Sequence, residues 1–169
     1  MDVDRKKIYD SKVKEGDRLD VNSMLTLSRI DIKKVKDIQA EIDQYAKKDI
    51  PELIAKELNL GSLATKMELT DGILSIKKVE FELKFLRDRR GSVVKNASEE
   101  KSEAAKGREA ESDEVYQKYN QDYQSAKIVR EYLELKRADM EQAHYAFKAE
   151  YDYKRGDRVQ GTKTENVGF

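Results

Sequence analysis

The pattern that most constrains the fold is a seven-residue repeat in the second half of the sequence. Tyr119, Ala126, Leu133, Met140 and Phe147 follow one another at intervals of seven residues. Side chains spaced in this way lie along one side of an α-helix, and such stripes are typical of helices that pack side by side in coiled coils. The sequence therefore predicts a long helix here that packs against another helix.

A matching stripe precedes this repeat. Leu69, Ile76 and Leu83 are also seven residues apart, so a first long helix is predicted to begin after Ser62 and to run to about residue 90. We predict an all-α fold in which a long, antiparallel, coiled-coil-like helical hairpin occupies residues 62–154, with its turn near residues 91–97. The predicted seam, which would serve the hairpin and self-association, consists of Leu69, Ile76, Leu83, Tyr119, Ala126, Leu133, Met140 and Phe147.

The segments that flank the hairpin have weaker patterns. Residues 1–30 are predicted to be a partly disordered N-terminal arm, because they contain few periodic apolar residues. Residues 31–61 are predicted to form two short helices, the second of which ends at Gly61. After residue 154 the periodicity is lost, so residues 155–169 are predicted to be a disordered tail.

Nothing in the sequence predicts catalysis, a cofactor or a metal. It contains no Cys and a single His, His144, which we interpret as a packing residue at the edge of the seam. The glycines are dispersed and do not form a phosphate-binding loop. Carboxylates are abundant, as expected of solvated helix faces. We therefore predict a protein that is not an enzyme and that needs no cofactor.

The overall charge gives no information about a partner. Lys and Arg total 34, as do Asp and Glu, so the net charge is zero and any polyanion binding must depend on a local cluster. No apolar run approaches the ~18 residues of a membrane span, and the acidic N-terminus does not resemble a signal peptide. We therefore predict a cytoplasmic protein with no membrane partner.

One local cluster of positive charge stands out, and we call residues 84–95 the basic segment. It contains five basic residues and one acidic residue, so it could bind the phosphates of single-stranded DNA, with Phe85 available for base stacking. Alternatively, pairs such as Glu80 with Lys84 would make it an ordinary ion-paired surface. The predicted DNA-binding residues are Lys84, Arg87, Arg89, Arg90 and Lys95.

The order of these parts resembles the UvsY-like recombination mediators of bacteriophages over residues 62–152. The resemblance lies in the apolar and basic first arm (residues 76–91), the entry to the return helix (residues 100–103), and the return arm with Tyr119, Tyr123, residues 129–134 and its end at residues 143–148. It implies a homo-oligomer that binds single-stranded DNA through Lys84, Arg87, Arg89 and Arg90 and assists the loading of a recombinase. A RecA-like recombinase or a single-strand-binding protein would then be a partner.

Two functions therefore remain open from the sequence. The first is a non-enzymatic accessory factor of phage DNA recombination or replication, acting in the host cytoplasm. The second is a coiled-coil adaptor or assembly chaperone that binds proteins and has no nucleic-acid role. Binding to a single-stranded oligonucleotide distinguishes the two functions.

Overall fold

The computed structural model describes residues 19–45 and 49–164, with side chains up to residue 156. Every regular element in these ranges is a helix, which confirms the predicted all-α class. The two longest helices, of 45 and 51 residues, pack against each other as the arms of a hairpin, as predicted. The helices are α1 (Val21–Ser28), α2 (Ile32–Tyr45), α3 (Glu52–Asn96), α4 (Glu103–Ser112) and α5 (Glu114–Thr164).

Short polar side chains cap most helix starts. The Asp20 carboxylate accepts a hydrogen bond from the Ser23 amide at the start of α1, and Asp31 accepts from two amides in the first turn of α2. Ser102 and Asp113 cap α4 and α5 in the same way. Each cap satisfies amide groups that have no partner within the helix, which fixes where the helix begins.

The chain divides into two compact units, and α3 and α5 contribute to both. Unit 1 comprises the described residues of Met1–Ile30 together with Asp71–Leu133. Within it, the Arg130 guanidinium on α5 donates to the Glu80 carboxylate on α3 at 2.6 Å. The apolar core of unit 1 includes Leu19, Met24, Leu27, Ile73, Ile76, Leu83, Ala126, Val129 and Leu133.

Residues 19–30 pack firmly in unit 1, which differs from the predicted arm. The side chains of Leu19 and Met24 are fully buried, and the Leu19 amide donates to the buried carboxylate of Asp122 at 3.0 Å. These apolar residues are few, but they dock because the buried hydrogen bond adds to their packing. Residues 1–18 lie outside the described part of the chain, and there the arm stays a prediction.

Unit 2 comprises Asp31–Thr70 together with the described residues of Glu134–Phe169. Helix α2 packs with the first part of α3 and the later part of α5, and Lys66 on α3 pairs with Glu141 on α5 at 2.8 Å. The apolar core of unit 2 includes Val35, Ile42, Ile50, Ala55, Leu58, Leu69, Met140, Ala143 and Phe147.

The predicted breaks at Gly61 and Gly91 are wrong, because both residues lie inside α3. A side chain at Gly61 would place its Cβ 2.9 Å from Cδ1 of Ile38, and one at Gly91 would place it 3.1 Å from the Tyr116 ring. Both glycines thus allow a neighbouring helix to approach closely, and this packing outweighs their low helix propensity. The second short helix predicted to end at Gly61 is therefore the start of α3.

The reversal and the return arm also differ from the prediction. The chain turns at residues 97–102, later than predicted, and then forms the short helix α4 before Asp113 interrupts it. At the other end, α5 continues to Thr164, past the predicted end at residue 154. Residues 165–169 lie outside the described part of the chain, so a disordered tail stays a prediction there.

Candidate nucleic-acid interface

The basic segment lies in the C-terminal part of α3, directly before the turn, within unit 1. Two of its five predicted DNA-binding side chains are exposed and form none of the ion pairs found in the described part of the chain. These are Lys84 and Arg89. The other three, Arg87, Arg90 and Lys95, are paired with acidic side chains of the same chain.

Arg87 is held inside unit 1. Its guanidinium donates to the Asp88 carboxylate at 2.8 and 2.9 Å and to Oδ1 of Asn120 at 3.4 Å. The guanidinium carbon also lies 4.7 Å from the ring centroid of Tyr123, within the range of a cation–π interaction. Only 17% of the Arg87 side chain is exposed. Arg87 therefore joins α3 to α5 and is poorly placed to contact a ligand.

Arg90 forms a bidentate salt bridge with Asp113, the residue that separates α4 from α5. Nε and Nη2 of Arg90 donate to the two carboxylate oxygens at 2.9 and 2.8 Å, an arrangement that matches the planar geometry of both groups. Hydrogen bonds from Arg90 and from the Tyr116 amide lower the pKa of Asp113 to about 2, so this carboxylate is charged at neutral pH. The hydrogen bond with Asp113 in turn raises the pKa of Arg90.

The turn and α4 bring further carboxylates to the basic segment. Nζ of Lys95 lies 2.7 Å from Glu103, in the first turn of α4. The next acidic residue of α4, Glu109, accepts hydrogen bonds from Ser98 and from Lys101 in the turn. These contacts lower the pKa of Glu103 and of Glu109. Part of the positive charge read from the sequence is therefore neutralised in the fold.

A group of residues on one side of α3, some of them shared with the basic segment, is more exposed than the paired cations Arg87 and Arg90. Phe81 is 73% exposed and Phe85 is 58% exposed. Because residues three and four apart share one side of a helix, Lys77, Lys78 and Lys84 lie on the same side as the two rings, opposite the buried Ile76 and Leu83. We call this group, Lys77, Lys78, Phe81, Lys84 and Phe85, the α3 outer face.

Only part of the α3 outer face was predicted from the sequence. Lys84 and Phe85 were predicted to contact DNA, whereas Phe81, Lys77 and Lys78 were not, although the spacing of three and four residues around Phe81 was the available signal. The predicted pair between Glu80 and Lys84 is wrong, because Glu80 pairs with Arg130 of α5. Lys84 is therefore left exposed on this face.

The seam residues lie within the hairpin. In unit 1 Ile76, Leu83, Ala126 and Leu133 are buried, while Tyr119 is half-buried; in unit 2 Leu69, Met140 and Phe147 are buried. Because these side chains are covered by other helices of the same chain, a surface for self-association has to be sought among other residues.

His144 is half-buried, with its ring centroid 5.3 Å from that of Tyr145. Among the described residues, no three His, Cys, Asp or Glu side chains are grouped closely enough to hold a metal ion. Within the same ranges, no helix is both long and apolar enough to cross a membrane.

Comparison with known proteins does not identify a relative. No family model, no curated protein and no solved structure matches the chain. The resemblance to recombination mediators accordingly stays a prediction.

Proposed function

We propose that the protein binds single-stranded DNA, without catalysis, through the α3 outer face. The observation that supports this function is the exposure of Phe81 and Phe85 among three lysines on one side of a helix. Exposed apolar side chains that adjoin one another mark interaction sites, whereas scattered ones do not. Bases of single-stranded DNA stack on such rings while lysines neutralise the adjacent phosphates.

The proposed interface depends on stacking more than on charge. Stacking contributes about 1–3 kcal/mol per base and tolerates any base, since every base has a flat face. Lys84 and Arg89 add positive charge that is not paired within the described part of the chain. We therefore expect binding that is independent of sequence and weakened by salt.

Replacing Phe81 and Phe85 by alanine tests the proposal. We expect the double variant Phe81→Ala/Phe85→Ala to bind a fluorescent oligo-dT strand at least about tenfold more weakly in an anisotropy titration, because two stacking contacts are lost. Tyr153→Ala is the matched control, since Tyr153 is an equally exposed aromatic residue on another helix. Equal affinities of the double variant and the wild type, or no binding by the wild type at low salt, would contradict the proposal.

We infer from the resemblance alone that DNA binding would serve phage recombination or replication by assisting recombinase loading. The recombinase or single-strand-binding partner belongs to this part of the proposal. The role requires single-stranded DNA binding, so failure of the oligo-dT titration would overturn it as well.

A second function, self-association, is favoured by a stripe of exposed apolar residues in unit 2. Leu53, Leu60 and Met67 are exposed on α3 at intervals of seven residues, and Lys56 and Glu57 flank the stripe with opposite charges. Identical helices pair through stripes of this spacing, with flanking charges that favour one orientation. We therefore propose a second copy of this chain as the partner of the stripe.

Sedimentation equilibrium tests self-association. At micromolar concentration we expect the wild type to be oligomeric and the variant Leu60→Lys/Met67→Lys to be monomeric, because a charge cannot be buried in an apolar seam without a partner. Leu135→Lys, a substitution of an exposed Leu on α5, is the control and should remain oligomeric. A monomeric wild type would contradict self-association and would leave the DNA-binding proposal intact.

A further inference from the structure

The segment that follows α3 is acidic, whereas the end of α3 is basic. Residues 99–113 contain six acidic and three basic side chains, while residues 84–95 contain five basic and one acidic. The fold brings the two segments together within unit 1, through the pairs Lys95–Glu103 and Arg90–Asp113. Arg90 and Lys95, which could otherwise bind phosphates, are thus paired with carboxylates of the same chain.

This acidic segment is weakly anchored. Helix α4 has 10 residues, of which only Ala110 is buried. A helix of this length is marginal by itself in water, and the exposed pair Lys95–Glu103 contributes little because it is hydrated and screened by salt. The segment is also bounded by the turn at residues 97–102 and by the break at Asp113. It can therefore leave the end of α3 at the cost of few buried contacts, chiefly the packing of Ala110 and the hydrogen bond from Ser98 to Glu109.

We propose that residues 99–113 form an autoinhibitory flap that competes with single-stranded DNA for Arg90 and Lys95. The inference depends on the proposed DNA binding and names its regulation. DNA first engages the α3 outer face. Arg90 follows Ile76 and Leu83 at intervals of seven residues, on the opposite side of α3, so the strand has to pass around the end of the helix before its phosphates displace the carboxylates of Glu103 and Asp113. The flap thus limits binding to ligands whose negative charge exceeds that of the flap itself.

The test uses a variant in which the flap loses its two pairing charges, Glu103→Gln/Asp113→Asn. Asn caps a helix as well as Asp does, so the start of α5 is preserved, and thermal unfolding followed by circular dichroism checks the fold. The control, Glu100→Gln/Glu111→Gln, changes the net charge equally at two exposed residues that are outside the described ion pairs. Both variants and the wild type are titrated with oligo-dT over a range of salt concentrations.

The expected result is a change in salt dependence that the control does not show. Each phosphate contact of a single strand contributes about −0.7 to the slope of log affinity against log salt, so the two cations freed on α3, Arg90 and Lys95, should steepen the slope by ~1.4. Glu103 also pairs with Lys106 of the flap itself, which leaves together with the flap. We expect an affinity gain of at least about fivefold at low salt for the flap variant, since two further phosphates are bound. If both variants change by the same amount, net charge explains the effect and the flap is overturned.

Hydrogen exchange of the wild type gives a second, independent outcome. Displacement of the flap should speed exchange of the α4 amides when oligo-dT is added, whereas a flap that stays in place would leave them unchanged or slower and would overturn the inference. If Phe81→Ala/Phe85→Ala weakens binding but the flap variant behaves like its control, the autoinhibitory flap is rejected and the proposed DNA binding is retained. Should the wild type and the flap variant both fail to bind oligo-dT, the proposed function fails together with it.

Discussion

Replacing Leu83 by alanine is expected to lower the free energy of unfolding of unit 1 by about 2–5 kcal/mol, because it leaves a cavity in the core. Leu83 is 0% exposed and lies on α3 in unit 1, to which the first part of α5 also belongs. The neighbouring helices are long and paired along their length, so they cannot readily collapse into the space. Urea unfolding followed by circular dichroism measures the change.

The matched control for this prediction is Leu74→Ala in the same helix and the same unit. Leu74 is 55% exposed, so its truncation removes little buried surface and should change stability by no more than about 0.5 kcal/mol. If the two substitutions cost the same, the assignment of Leu83 to the inner side of α3 is wrong.

Replacing Gly72 by leucine is expected to detach residues 19–30 from unit 1. A Cβ at Gly72 would lie 2.2 Å from Cδ1 and 2.8 Å from Cγ1 of Ile30, and 3.4 Å from the Ser28 carbonyl oxygen. A leucine needs still more room, so α1 has to move away or the core has to distort, at a cost of about 1–3 kcal/mol. Hydrogen exchange should show faster exchange of the α1 amides, and trypsin should cleave more rapidly after Arg29.

The control for this substitution is Gly107→Leu in α4. No atom lies within 4 Å of a Cβ at Gly107, so leucine meets no obstacle there and gains helix propensity. We expect unchanged exchange in α1 for this control. If the α1 amides of the Gly72→Leu variant exchange as slowly as those of the wild type, residues 19–30 are not docked through Ile30.

The fold class could be predicted because the positions of the heptad repeat are the positions that are buried between helices. Residues such as Leu133 and Met140 are buried, and their spacing of seven residues is visible without knowledge of the partner helix. The start of a helix near residue 31 could be predicted as well, since capping by Asp31 is a local interaction. What is encoded locally or periodically could therefore be inferred from the sequence.

The helix boundaries at Gly61 and Gly91 could not be inferred in this way. Glycine usually ends a helix, but here the side chains of Ile38 and Tyr116 use the space that a Cβ would fill. Both neighbours are distant in sequence, so the favourable packing that keeps α3 continuous leaves no local signal. The short helix α4 was missed because it has only one buried residue and hence no apolar period.

The candidate site was predicted in part for the same reason. The excess of Lys and Arg in residues 84–95 is a property of the sequence, whereas pairing of Arg90 with Asp113, 23 residues later, is a property of the fold. Counting charges therefore overestimated the available cations. The exposure of Phe81 could have been suspected, because it lies opposite the Ile76 and Leu83 stripe on the same helix.

Asp113 combines three structural roles in one carboxylate. It is the C-terminal cap of α4, its side chain accepts from the Tyr116 amide at the start of α5, and it holds the Arg90 guanidinium. Of the other short polar residues, Asn keeps the cap without the charge, and Ser can cap but cannot grip both guanidinium nitrogens. The helix caps at Asp113 and its salt bridge with Arg90 are consequently linked thermodynamically, so a change that weakens the caps also weakens the salt bridge, and the reverse.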